Sequence, residues 1–144
     1  MKRILIIMAL TAAAFINAKA DDRPRTFEQL PKAAQTFITS NFPDDKVSFA
    51  TVDDDIIAPD YQVVLVSGVR LGFQNNGKLE KIETKDGKIP AGIIPAQILE
   101  AVKGFYPDAE ILEYEVGRRS YEVKLSNRME LKFNSSFKIV ELDD

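Results

Sequence analysis

The chain gives the same ordered set of signals twice, and that order restricts its fold more than any single motif does. Leu30-Pro31 opens a helix-like stretch that closes at Asn41-Phe42-Pro43-Asp44. Ile94-Pro95 opens another that closes at Phe105-Tyr106-Pro107-Asp108, offset by 64 positions. Tyr61-Gln62-Val63-Val64-Leu65 then recurs as Tyr121-Glu122-Val123-Lys124-Leu125, and Leu71-Gly72-Phe73 as Leu131-Lys132-Phe133, both offset by 60. Near-constant spacing predicts two copies of one supersecondary unit, each burying part of its apolar face on the other. The expected units are repeat 1 (26–85) and repeat 2 (91–144), joined by Asp86-Gly87-Lys88-Ile89-Pro90.

Each unit reads as a helix followed by four short strands. Pro31 and Pro95 suit a first helical position, where a missing N–H costs nothing. Ala34, Phe37, Ile38 and Phe42 recur at helical spacing, as do Ile98, Ala101, Val102 and Phe105. Thr26 and Gln29 have capping-box spacing, so a short turn is expected at Phe27. Asp21 to Arg25 is polar and is expected to be irregular. Strands are expected over 47–52, 61–66, 69–74 and 78–84, then over 110–116, 121–126, 129–133 and 137–142. Ser67-Gly68 and Asn75-Asn76-Gly77 supply hairpin turns.

Alternation shows which face is buried. Tyr121, Val123 and Leu125 share one face with Met129, Leu131 and Phe133, while Glu122, Lys124, Glu130 and Lys132 share the other. The fold class predicted is α+β: a curved antiparallel sheet with helices on one face and water on the other. In repeat 1 the outward set is Gln62, Val64, Val66, Arg70 and Gly72. Val64 and Val66 stand where repeat 2 has Lys124 and Ser126. Either a loop covers them, or they form a contact patch for a partner. The first strand of each unit resists phasing: Val47 and Phe49 point to one face, Leu112, Tyr114 and Val116 to the other.

The N-terminus reads as an export signal. Lys2-Arg3 precede an apolar run from Ile4 to Ile16, too short to span a bilayer at ~20 residues. Ala18-Lys19-Ala20 then supplies small residues at the positions a signal peptidase reads. Residues 1–20 are therefore expected to be a signal peptide and 21–144 a single mature domain, periplasmic or secreted and not membrane-spanning after cleavage. That domain carries 16 basic residues against 22 acidic ones, a balance of −6, which argues against nucleic acid as a partner. The chain has no cysteine, histidine or tryptophan. It therefore lacks disulfides, Ser-His-Asp and Cys-His machinery, and the usual zinc ligands. No cofactor, metal centre or catalytic residue is expected.

The order Leu-Pro, Phe-Ile, Asn-Phe-Pro, Tyr-x-Val-x-Leu, Leu-x-Phe resembles that of the PepSY-like family of exported bacterial proteins, also described as beta-lactamase-inhibitor-like. Leu30-Pro31, Phe37-Ile38, Asn41-Phe42-Pro43, Tyr61 to Leu65 and Leu71 to Phe73 carry the resemblance, with their counterparts in repeat 2. It implies helices on one face of a curved sheet whose other face is free. The inhibitory proteins grip an enzyme with such a face, and PepSY domains are associated with peptidase restraint and envelope sensing. This chain departs from the inhibitors in having neither disulfides nor tryptophan.

Together these readings predict a non-enzymatic module that binds a protein or peptide of the cell envelope. The expected contact residues are Gln62, Val64, Val66 and Arg70, flanked by Glu122, Lys124, Glu130 and Lys132. The alternative is an envelope sensor of a small ligand or Ca²⁺. Asp53-Asp54-Asp55 has oxygen ligands for calcium but not EF-hand spacing, and reads first as a solvated turn. Arg118-Arg119 reads as a charged hairpin tip, and Tyr61 and Tyr121 as core tyrosines.

Overall fold

The computed structural model of the chain describes residues 22–53 and 60–144. The expected signal peptide and Asp54-Asp55 of the acidic loop lie outside the described residues. Nine strands form one open antiparallel sheet: β1 (Asp22–Arg25), β2 (Val47–Asp53), β3 (Asp60–Leu65), β4 (Arg70–Phe73), β5 (Leu79–Glu83), β6 (Ile111–Val116), β7 (Ser120–Leu125), β8 (Glu130–Asn134) and β9 (Ile139–Asp143). Their spatial order is their order along the chain. Two helices, α1 (Lys32–Asn41) and α2 (Ala96–Phe105), follow β1 and β5, so the fold is α+β.

Both helices start directly after proline. Pro31 and Pro95 are N-caps with extended backbone, so each proline sits one position ahead of the first helical residue expected for it. Phe42 and Tyr106 end the helices by donating their N–H groups to the carbonyls of Ile38 and Val102. The helices bury Ala34, Ile38, Ile98 and Val102 in one cluster with Val63, Leu71, Phe73, Ile82, Val123, Leu131 and Phe133. The inward side chains of the whole sheet therefore meet both helices on the same side. Phe105, expected in the apolar stripe, is instead 58 % exposed.

Four hairpins share one geometry, a three-residue loop whose last residue is left-handed. Leu65 and Gln74 accept and donate across the β3–β4 and β4–β5 turns, with Gly68 at φ +97° and Gly77 at φ +85°. The β7–β8 and β8–β9 turns repeat the bonds around Leu125 and Asn134, with Arg128 at φ +73° and Phe137 at φ +62°. Gly77 has a second constraint. A Cβ there would lie 2.9 Å from Ala33 Cβ and from the Ala34 nitrogen, so the turn packs on the start of α1.

Two expectations are corrected. Asp22 to Arg25 is not irregular: it pairs with Ala50 to Asp53 as edge strand β1. The 3-10 turn Phe27–Gln29 follows, and Gln29 Oε1 accepts a 2.8 Å hydrogen bond from the Thr26 N–H, as capping-box spacing predicts. The second concerns the unphased first strands. The β2–β3 register shifts between Val47 and Phe49, and the β6–β7 register shifts between Ile111 and Glu113. One extra residue reverses the inward and outward assignment of everything after it. Val47 and Ile111 thus face the core, and so do Ala50, Val52 and Tyr114 beyond the bulge.

Candidate functional site

The face of the sheet opposite the helices carries two rows of side chains that run across neighbouring strands. Strand register places Phe49, Val64, Arg70, Glu83, Glu113, Lys124, Glu130 and Asp143 in one row. The adjacent row runs through Thr51, Gln62, Gly72, Lys81, Glu115, Glu122, Lys132 and Glu141. Seven of the eight residues expected from alternation fall in these rows. Val66 follows β3 in the same phase as Val64.

The rows change character along the sheet. At the β2–β3 end Phe49 lies directly opposite Val64, and the pair is apolar. Phe49 is 55 % exposed and Val66 70 % exposed, while Val64 is half-buried. Val64 and Val66 are not covered alike, so no loop shields both. Gly72 is buried beside them. It lies opposite Gln62, whose amide would sit 3.5 Å from any Cβ placed there.

At the β5–β8 end the face is ionic. Glu113 Oε1 lies 2.8 Å from Lys81 Nζ and 3.7 Å from Lys124 Nζ, and Lys124 Nζ lies 3.6 Å from Glu130 Oε1. The Glu113 side chain is only 12 % exposed, so it is the centre of the cluster. Its Oε1 makes close ion pairs without a well-aligned hydrogen bond. The Glu113 carboxylate holds the Lys81 ammonium above the usual lysine range against the opposing effect of burial, with Glu115 and Glu83 adding to the pull.

One corner is acidic. Asp22 pairs with Asp53, and Asp53 with Asp60, across β1, β2 and β3. Partial burial, then the carboxylates of Asp60 and Glu115, push the Glu80 carboxyl above its ordinary value. Like charges directly opposite one another disfavour the sheet. Among the described residues, no group of three or more Asp or Glu is disposed to hold a metal ion.

On the helix side Tyr114 is buried among apolar groups and lies parallel to Tyr121 at 6.3 Å, and Tyr121 stacks on Phe137 at 5.0 Å. Burial, helped by Tyr121, pushes the Tyr114 phenol up to about 12. Tyr61 and Tyr121 pack against the core as the alternation predicts. Arg118 and Arg119 occupy the β6–β7 turn, which Gly117 closes by donating to the Ser120 carbonyl.

Phe49, Glu113 and Lys81 are among the residues of this face that sequence reasoning missed. Phe49 and Glu113 lie just past the bulges, so an unbroken alternation could not place them. The adjacent apolar pair Phe49-Ala50, in a strand otherwise alternating, is the signal of a phase change. Lys81 went unnamed because β5 was not phased.

Comparison with known proteins places this fold. The family described as "Putative beta-lactamase-inhibitor-like, PepSY-like" matches residues 59–141. A crystal structure of a "putative periplasmic protein" of the DUF2874 family from Bacteroides vulgatus has 37 % identity and a TM-score of 0.82, covering 88 % of this chain and 100 % of that one. A "putative calcium-regulated periplasmic protein" from Bacteroides thetaiotaomicron has 40 % identity and a TM-score of 0.82, covering 86 % and 98 %. A third, a "putative periplasmic protein of unknown function" from Bacteroides vulgatus, has 29 % identity and a TM-score of 0.80, covering 85 % and 99 %. No curated protein matches. No helix among the described residues is long and apolar enough to cross a membrane. Like these relatives, the chain is a protein of the periplasm or the cell exterior. It belongs to the PepSY-like, beta-lactamase-inhibitor-like family.

Proposed function

We propose that the mature domain, residues 21–144, is a non-catalytic module that binds a protein or peptide of the cell envelope on its open sheet face. The proposal includes removal of residues 1–20 as a signal peptide and an origin of the two halves by duplication. The carrying observation is the pairing of exposed Phe49 with Val64, next to exposed Val66, on a face that turns ionic within a few strands. Contiguous apolar surface rimmed by charge favours a macromolecular partner. Gln62, Val64, Val66 and Arg70 form the centre, and Glu122, Lys124, Glu130 and Lys132 set orientation from the flank. Charge pairs at a rim steer association more than they add affinity. The test is crosslinking in intact cells, followed by binding measurements on the captured protein. Val64→Lys with Val66→Lys should abolish capture while leaving the melting temperature within a few degrees. Undiminished capture by this variant refutes the face.

A second reading, an envelope sensor of Ca²⁺, is favoured by the relative described as calcium-regulated. Binding to the native state alone must raise the melting temperature with calcium concentration. A melting temperature unchanged by millimolar calcium, with magnesium as control, removes this reading.

A further inference from the structure

We propose a second binding site, on the helix side, for a zwitterionic amino acid with a benzyl-sized side chain. A pocket of about 360 Å³ opens between the β5–α2 connection, α2 and the start of β6. That volume lies at the lower end of the range of small-molecule sites, about 300–1,000 Å³. Ile89, Ala91, Leu99 and Val102 supply apolar lining, and Lys103 and Glu110 supply one charge of each sign.

The approach to α1 shows what fills the corresponding space elsewhere in the molecule. Four residues before the helix-starting proline, α1 has Phe27, whose ring packs against the core. Four residues before Pro95, α2 has exposed Ala91. Four residues after Pro31, Gln35 ties the approach down, its Nε2 donating to the carbonyls of Leu30 at 2.9 Å and Glu28 at 3.2 Å. Four residues after Pro95 stands Leu99, which has no amide to make such bonds and is 44 % exposed. Ile89 and Ile93 pack on the core from this connection, yet the pocket remains. The second approach thus lacks both the ring and the tie.

The charges narrow the class of occupant. Lys103 lies on α2, and Glu110 precedes β6 with its side chain close against Gly87, where a Cβ would lie 2.8 Å from Glu110 Cβ. A ligand carrying only a carboxylate meets Glu110, and one carrying only an ammonium meets Lys103. A zwitterion with an apolar side chain complements both.

The probe is L-phenylalanine, followed by methyl and amide shifts in heteronuclear NMR, with 3-phenylpropionate and phenethylamine as single-charge controls. A dissociation constant on the order of 1 mM is expected for a ligand of this size. Shifts should be confined to the pocket, and each control should bind about fivefold or more weakly. Ala91→Phe should abolish the shifts and raise the melting temperature by filling the space. Leu99→Gln, which can restore the tie, is the second variant and should weaken binding at least threefold. Absence of saturable shifts at 20-fold the expected constant (~20 mM) overturns the proposal. So does binding that survives Ala91→Phe in a folded protein, or controls that bind as tightly as phenylalanine.

Discussion

Replacing Arg128 with glycine is expected to stabilise the protein, although it deletes a whole side chain. Arg128 ends the β7–β8 loop at φ +73°, and its N–H is bonded to the Leu125 carbonyl, so the turn cannot relax without losing a bond. An L-residue in this region carries roughly 1–2 kcal/mol of strain. Glycine removes it but orders a more flexible unfolded chain, at roughly 0.5–1 kcal/mol. The net gain is about 0.5–1 kcal/mol, which raises the melting temperature of a domain this size by roughly 2–4 °C. Urea denaturation should show a higher midpoint with an unchanged slope. Three companion variants isolate the cause. Gly68→Ala, at φ +97° with nothing within 4 Å of the new Cβ, should lose about 1 kcal/mol through backbone strain alone. Gly77→Ala adds contact with Ala33 and Ala34, and should lose about 2 kcal/mol or more. Phe137→Gly relieves the same strain as Arg128→Gly but removes a ring stacked on Tyr121, so it should destabilise by at least ~1 kcal/mol. An Arg128→Gly protein no more stable than the parent, together with a harmless Gly68→Ala, refutes the strain argument.

Alkaline unfolding provides another check. Tyr114 and Lys81 both have folded-state values raised above their unfolded ones, so the unfolded chain releases these protons first. For Tyr114 that stabilisation is complete below about pH 10 and declines as pH rises toward about 12, and Lys81 adds a loss in the same direction. Tyr114→Phe should flatten that decline, and phenolate absorbance should show one tyrosine titrating late. Glu113→Gln should lower the Lys81 value measured by NMR and destabilise by about 1 kcal/mol, less in high salt. Glu80 has the same sign in a lower pH window: its raised carboxyl holds its proton more tightly in the folded state, so stability falls as pH rises through that titration, and Glu80→Gln should raise the neutral-pH melting temperature slightly.

The strands that alternate cleanly were legible from sequence. Tyr121, Val123 and Leu125 face inward, and Glu122 and Lys124 outward, because β7 runs without a bulge in its own pairing with β8. The helices were legible from their prolines and apolar spacing. β1 was not, because Asp-Arg-Pro-Arg has no alternation, and an edge strand needs none when Pro24 and charge keep its outer side unattractive. The first strands of each half were not legible because a single-residue bulge at Ser48 and another at Leu112 reverse their phase. Gln62, Val64 and Arg70 were therefore placed on the open face, while Phe49 and Glu113, beyond the bulges, were not.

The order of strands along the sheet has a consequence for how the protein forms. Every described strand hydrogen-bonds only to its predecessor and successor, so six of the eight pairings close over a short loop and the other two over a single α-helix. Closing short loops costs little entropy, and such local wiring favours fast assembly. Such a chain can zip from either end. Having no thiols, it needs neither an oxidant nor an isomerase to finish.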